Sequence, residues 1–154
     1  RRHDTLAWPR RLDATRLTEA AAALVGEHDF AAYCKRKENA TTIRMITRLD
    51  WRRDPDGILV ATIQADAFCQ NMVRSLVGAL LVAGDGRRPP EWPASQLSRE
   101  TRADDVPVVG PHGLTLVEVG YPETAAELAE RSERTRRLRS PERVTGDLPE
   151  TPAR

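Results

Sequence analysis

The spacing of apolar positions at the start of the chain is that of a helix. Asp13 is a suitable N-cap, because its carboxylate can accept hydrogen bonds from the first free backbone N–H groups. Gly26 is a natural C-terminal stop. Between them, apolar residues recur at helical intervals: Leu17, Ala20, Ala21 and Leu24. The sequence then predicts a short turn leading into a basic loop that carries Lys35, Arg36 and Lys37.

Two β-rich segments follow, joined by the turn sequence RRDPDG. In the first segment apolar residues alternate, which predicts one buried face of an extended chain: Ile43, Met45, Thr47, Leu49 and Trp51. Arg44, Arg48 and Asp50 fall on the opposite, polar face, and Ile46 interrupts the alternation. Together with 58–68, this segment predicts an antiparallel hairpin.

Helical spacing returns in the segment FCQNMVRSLVGALL, Phe68 to Leu81. Two stripes repeat every four residues: Met72, Leu76, Leu80 and Val73, Val77, Leu81. Arg74 lies off these stripes, beside Asn71, Ser75 and Gly78. Because the neighbouring side chains are small, this face allows another backbone to approach closely.

The remaining segments complete an α+β pattern. A Gly- and Pro-rich loop leads into a short helix, and the apolar run Leu114–Val119 predicts a strand inside a sheet. The predicted fold is an antiparallel sheet with helices packed on one face, spanning residues 1–121. Residues 122–154 form a charged tail, partly helical or disordered. Its possible ion pairs are Glu127–Arg131, Glu130–Arg134 and Glu133–Arg137.

Composition narrows the function classes only a little. The chain has 154 residues, 31% of them charged, with a formal net charge of +1, so overall charge favours no partner. No apolar run approaches the roughly 20 residues of a membrane span. Two cysteines, Cys34 and Cys69, are too few for a disulfide framework and favour a reducing cytoplasm. The chain begins with Arg1 rather than Met, so we expect it to be part of a longer protein.

Arg74 is the sharpest candidate for chemistry. A buried guanidinium requires an anion, and a bidentate carboxylate fits it well. The alternative is an arginine that extends to solvent. His28–Asp29 could form a catalytic dyad, or could lie in a loop that anchors Phe30. The histidines and cysteines lack metal-ligand spacing.

Four segments together resemble the C-terminal half of the tRNA pseudouridine synthase A family. They are LDATRLTEAAAALVGEHDFAAYC, TTIRMI, DAFCQNMVRSLVGALLVAGDG and GLTLVEVGYP, between about Leu12 and Tyr121. The resemblance implies an isomerase that converts uridine to pseudouridine in the anticodon arm of tRNA, as a homodimer and without cofactor or metal. It implies that Arg74 pairs with the catalytic aspartate and that Leu114 lies against the target base.

The sequence also departs from the family. The G-R-T-D motif that carries the catalytic aspartate does not occur in these 154 residues. Two hypotheses therefore remain: the C-terminal domain of a tRNA-modifying isomerase, inactive alone, or a stand-alone RNA-binding or interaction module of the same fold. In the full enzyme we expect tRNA phosphates to be contacted by basic residues of two loops, namely Lys35, Arg36, Lys37, Arg87 and Arg88. For these residues a solvated loop is the alternative.

Overall fold

The computed structural model describes residues 4–38, 40–121, 123–130 and 133. Within the described residues up to 121 lie three strands, β1 (Gly26–Asp29), β2 (Ile43–Arg53) and β3 (Leu59–Ala65), and three α-helices, α1 (Ala14–Ala22), α2 (Met72–Gly84) and α3 (Trp92–Ser95). Short 3₁₀ helices span Ala31–Tyr33 and Gln96–Ser98. The strands form one antiparallel sheet in the order β1–β2–β3.

The predicted α+β class is confirmed. Helix α1 packs on both α2 and β2, so the helices and the sheet enclose one core. Its largest fully buried side chains include Leu17, Leu24, Phe30, Tyr33, Ile46, Met72, Leu76 and Leu80. No described helix is both long enough and apolar enough to cross a membrane.

Helix α1 begins as predicted. The Asp13 carboxylate accepts hydrogen bonds from the backbone N–H groups of Thr15 and Arg16. The helix ends at Ala22, earlier than expected, and Gly26 instead opens β1 with a φ of 117°, which glycine tolerates best. The short turn predicted there is in fact strand β1, paired with β2.

A β-bulge corrects the predicted faces of β2. Ile46 pairs with Ala65 and Arg48 with Gln64, so the register shifts between them at Thr47. An extra residue reverses which side chains point inward. Ile46 is fully buried and Arg44 is 5% exposed, although the alternation placed Arg44 on the polar face. Leu49, beyond the bulge, is buried as predicted.

One further expectation fails. Leu114–Val119 was expected inside a sheet, but no ladder joins it to β1, β2 or β3, and Val117 is 90% exposed. The side chains of a strand are buried when other elements cover the faces of its sheet, and this segment does not join the three-stranded sheet. The two cysteines are joined as a disulfide, with Cα atoms 5.7 Å apart, linking Cys34 to Cys69.

The start of the tail is helical over residues 125–130. Thr124 and Glu127 form a reciprocal capping pair: the Thr124 hydroxyl accepts from the Glu127 N–H, and the Glu127 carboxylate accepts from the N–H groups of Glu123 and Thr124. The predicted ion pairs to Arg131, Arg134 and Arg137, and the tail beyond them, lie outside the described residues.

Candidate functional site

The N-terminal end of α2 presents Arg74 in a fixed orientation. Its Nε donates a 2.6 Å hydrogen bond to the carbonyl of Val109, and its Nη1 donates a 3.3 Å bond to Oδ1 of Asn71. In return, the Val109 N–H donates to the carbonyl of Arg74. The side chain is half-buried, so it is neither enclosed in the core nor free in solvent. These bonds hold the plane of the guanidinium.

Small residues on α2 make this arrangement possible. Ser75 and Gly78 are both buried, and Gly78 lies directly against the backbone of Pro107. A Cβ on Gly78 would lie 1.9 Å from the carbonyl oxygen of Pro107, so only glycine permits this approach. The predicted close contact of a second backbone is therefore present, and it brings the Val109 carbonyl to Arg74.

Asn71 is a partner of Arg74 that the sequence interpretation placed nearby but gave no role. It precedes α2 and has a φ of 64°, the one positive φ of a non-glycine residue in the described part of the chain. Asparagine enters this left-handed region more readily than most residues. The spacing of three positions from Arg74 was a usable signal, because side chains at i and i+3 are neighbours on a helix.

No described residue places a carboxylate within ion-pair distance of Arg74. A guanidinium has five N–H donors. The bonds to Val109 and Asn71 use the Nε hydrogen and one Nη1 hydrogen. The donors left over lie at the Nη1 and Nη2 end, which is the end that a carboxylate engages in bidentate fashion.

The basic loop lies at the same end of α2. Lys35, Arg36 and Lys37 are all exposed. The Lys35 N–H donates to the carbonyl of Gln70, just before the helix, and the Cys34–Cys69 disulfide joins the same two segments. The loop is thus tied to the segment that leads into Arg74.

Arg87 and Arg88 lie beyond the opposite end of α2. The helix has 13 residues, so its ends are about 20 Å apart. Arg87 pairs with the buried carboxylate of Asp85 at 2.7 Å, and Arg88 lies 4.0 Å from Asp105. Burial raises the pKa of Asp85, but hydrogen bonds from Arg87 and Trp8 outweigh it and lower that pKa overall. The two basic clusters do not form one surface.

Leu114 follows shortly after Val109, the backbone partner of Arg74. Its N–H donates to the carbonyl of Pro111, closing a turn. Such a turn spans less than about 7 Å, and Pro111 is two positions after Val109, so the Cα atoms of Val109 and Leu114 are at most about 14 Å apart. Leu114 is 52% exposed and begins an exposed apolar segment, residues 114–121.

The His28–Asp29 pair does not form a dyad. His28 Nε2 lies 3.2 Å from the carbonyl of Val25, while the Asp29 carboxylate accepts from Ala31 and Thr42. The His28 ring instead meets Phe30 edge-on at 5.8 Å. This contact agrees with the alternative prediction, in which His28 lies in a segment that anchors Phe30.

The fold and the site define a class: an α+β domain that presents an arginine, oriented by Val109 and Asn71, beside a basic loop. The family model described as tRNA pseudouridine synthase matches residues 20–122. The chain belongs to the tRNA pseudouridine synthase family.

Individual relatives carry the name tRNA pseudouridine synthase A. The chain is 57% identical to one from Frankia casuarinae over 146 residues, which is 95% of this chain and 53% of the relative. It is 58% identical to one from Streptomyces griseus over 85% of this chain and 46% of the relative. It is 47% identical to one from Mycobacterium leprae over 87% of this chain and 46% of the relative.

The chain thus spans about half the length of the curated relatives it matches. The Frankia match is longer than residues 1–121, so it reaches into the tail, which the sequence analysis placed outside the resemblance.

Proposed function

We propose that this chain is the C-terminal half of an enzyme that isomerises uridine to pseudouridine in the anticodon arm of tRNA. The observation that carries the proposal is Arg74, whose guanidinium is oriented by Val109 and Asn71 with its bidentate end unengaged by any described carboxylate. The family membership and the names of the relatives support the choice of reaction.

The reaction balances without a redox partner. The bond from uracil N1 to the ribose C1′ breaks, the base turns over, and a bond from C5 to C1′ forms. N1 gains a proton and C5 loses one. A carboxylate from outside the described residues would drive the cleavage. Arg74 would keep that carboxylate ionised and fix its direction, because a guanidinium stabilises the charged form of a neighbouring acid.

The tRNA would be held mainly at the Arg74 end of α2. Lys35, Arg36 and Lys37 are exposed there, and none of them is ion-paired with a carboxylate of the described residues, so they can contact phosphates. Arg87 and Arg88 would contribute less, because carboxylates already lie beside them. Leu114 would contact the target base.

The proposal extends to assembly and location. Two copies would bind one tRNA as a homodimer, and the enzyme would act in the cytoplasm, where tRNA is modified. The family resemblance supports both statements.

Tritium release from tRNA labelled at uridine C5 tests the proposal. The complete enzyme that carries this chain should release tritium, and the 154-residue chain alone should not. Arg74→Ala should slow release about a hundredfold, the loss of two hydrogen bonds between charged groups. Arg52→Ala, an exposed arginine on β2, is the matched control and should have little effect. Release by the chain alone, or an active Arg74→Ala enzyme, would contradict the proposal.

A further inference from the structure

Asn71 holds an unusual backbone conformation and touches Arg74 at the same time. Its φ is 64°, and its carbonyl accepts the first helical hydrogen bond of α2, from the Ser75 N–H at 2.9 Å. Its side-chain Oδ1 accepts from Arg74 Nη1 at 3.3 Å. A non-glycine residue in this region costs conformational energy, which folds retain where the surroundings fix it, often at functional sites.

The two contacts on Arg74 have different directions. Val109 engages Nε, on one edge of the guanidinium, and Asn71 engages Nη1. With one hydrogen bond the guanidinium could still rotate about the axis of that bond. Two hydrogen bonds at different nitrogens fix both its position and its plane. The unengaged N–H groups then lie at the Nη1 and Nη2 end, where they can meet the partner carboxylate that the proposed function requires.

We propose that Asn71 is a positioning residue for catalysis, and that its amide oxygen orients the Arg74 guanidinium for bidentate pairing with the catalytic carboxylate. This inference rests on the proposed function. It assigns to Asn71 a role that acts through Arg74 and requires no contact between Asn71 and the tRNA.

Two substitutions distinguish the effect of losing the Asn71 amide from the effect of disturbing its backbone conformation. Asn71→Gly removes Oδ1 but tolerates a positive φ, so it should leave the melting temperature nearly unchanged. Asn71→Ala removes Oδ1 and also disfavours that φ, so it should lower the melting temperature as well. Both should lower kcat about tenfold, the effect of one hydrogen bond to a charged group. KM for tRNA should change less than about twofold, because the basic loop is untouched.

The experiment is steady-state tritium release by the complete enzyme with Asn71→Gly, Arg74→Lys and the double substitution. Lysine keeps the charge but loses the planar fork. If Asn71 acts through Arg74, Asn71→Gly should cause no further loss of kcat in the Arg74→Lys enzyme.

The outcomes are distinguishable. An active parent enzyme with unchanged kcat after Asn71→Gly, or losses that multiply in the double variant, would overturn the role of Asn71 and leave the proposed function standing. If KM for tRNA rises after Asn71→Gly by the same factor as kcat falls, Asn71 supports the fold of the site and is not a positioning residue. A parent enzyme without pseudouridine-forming activity would overturn the proposed function, and this inference with it.

Discussion

Substitution of Gly78 by alanine tests the close approach on which the site is built. An ideal Cβ at this position lies 1.9 Å from the carbonyl oxygen and 2.9 Å from the carbonyl carbon of Pro107. Comfortable non-bonded separations are about 3.5 Å, so the 107–109 segment has to move by roughly 1.5 Å. The opposing atoms belong to the backbone, which cannot rotate away as a side chain could.

The expected magnitude combines two opposing effects. Overpacking a tight contact costs about 1–3 kcal/mol, and a backbone clash belongs at the upper end. Alanine is favoured over glycine inside a helix by about 1 kcal/mol. The Gly78→Ala chain should therefore lose about 2 kcal/mol of unfolding free energy. Because the same movement withdraws the Val109 carbonyl from Arg74, the complete enzyme should also lose activity.

Urea unfolding with linear extrapolation measures the effect on stability. Gly120→Ala is the matched control, because no heavy atom lies within 4 Å of its ideal Cβ. A Gly78→Ala chain as stable as the parent, or more stable as helix propensity alone predicts, would refute the packing argument.

Three further predictions concern other parts of the chain. Burial raises the pKa of the Tyr33 hydroxyl above its ordinary value of about 10. Above about pH 10 the unfolded chain therefore loses this proton more readily than the folded chain, and the unfolding free energy should fall; Tyr33→Phe should remove this fall, and Tyr121→Phe, at an exposed position, should not. Reduction of Cys34–Cys69, which are 35 residues apart, should lower the unfolding free energy by about 3–4 kcal/mol; an unchanged urea midpoint after reduction would contradict this. Neutralising Lys35–Lys37 in the complete enzyme should reduce the slope of log affinity for tRNA against log salt by about two to three, and an unaltered slope would leave these residues as solvated cations.

Local interactions made much of the fold predictable from sequence. The Asp13 cap, helix α2 and the β2–β3 hairpin all depend on residues close together in the chain, and each is present. The small residues beside Arg74 also indicated a close backbone contact, because side-chain size is a property of the sequence itself.

Contacts between distant residues decided the rest. The Thr47 bulge is defined only by the pairing of β2 with β3, so alternation alone placed Arg44 on the wrong face. The partner of Arg74 Nε lies 35 residues away at Val109, and no periodicity encodes such a distance.

The segment 114–121 also shows that sequence patterns do not predict contacts between distant parts of the chain. Its composition is that of a buried strand, yet Leu116 is 77% and Val117 90% exposed. Apolar residues determine that a segment favours burial, whereas the elements that pack over its side chains determine whether it is buried. The sequence by itself therefore determined the helices, the hairpin and the candidate arginine. Only the tertiary structure decided which backbone groups orient that arginine, because hydrogen-bond geometry depends on the packing of segments far apart in the chain.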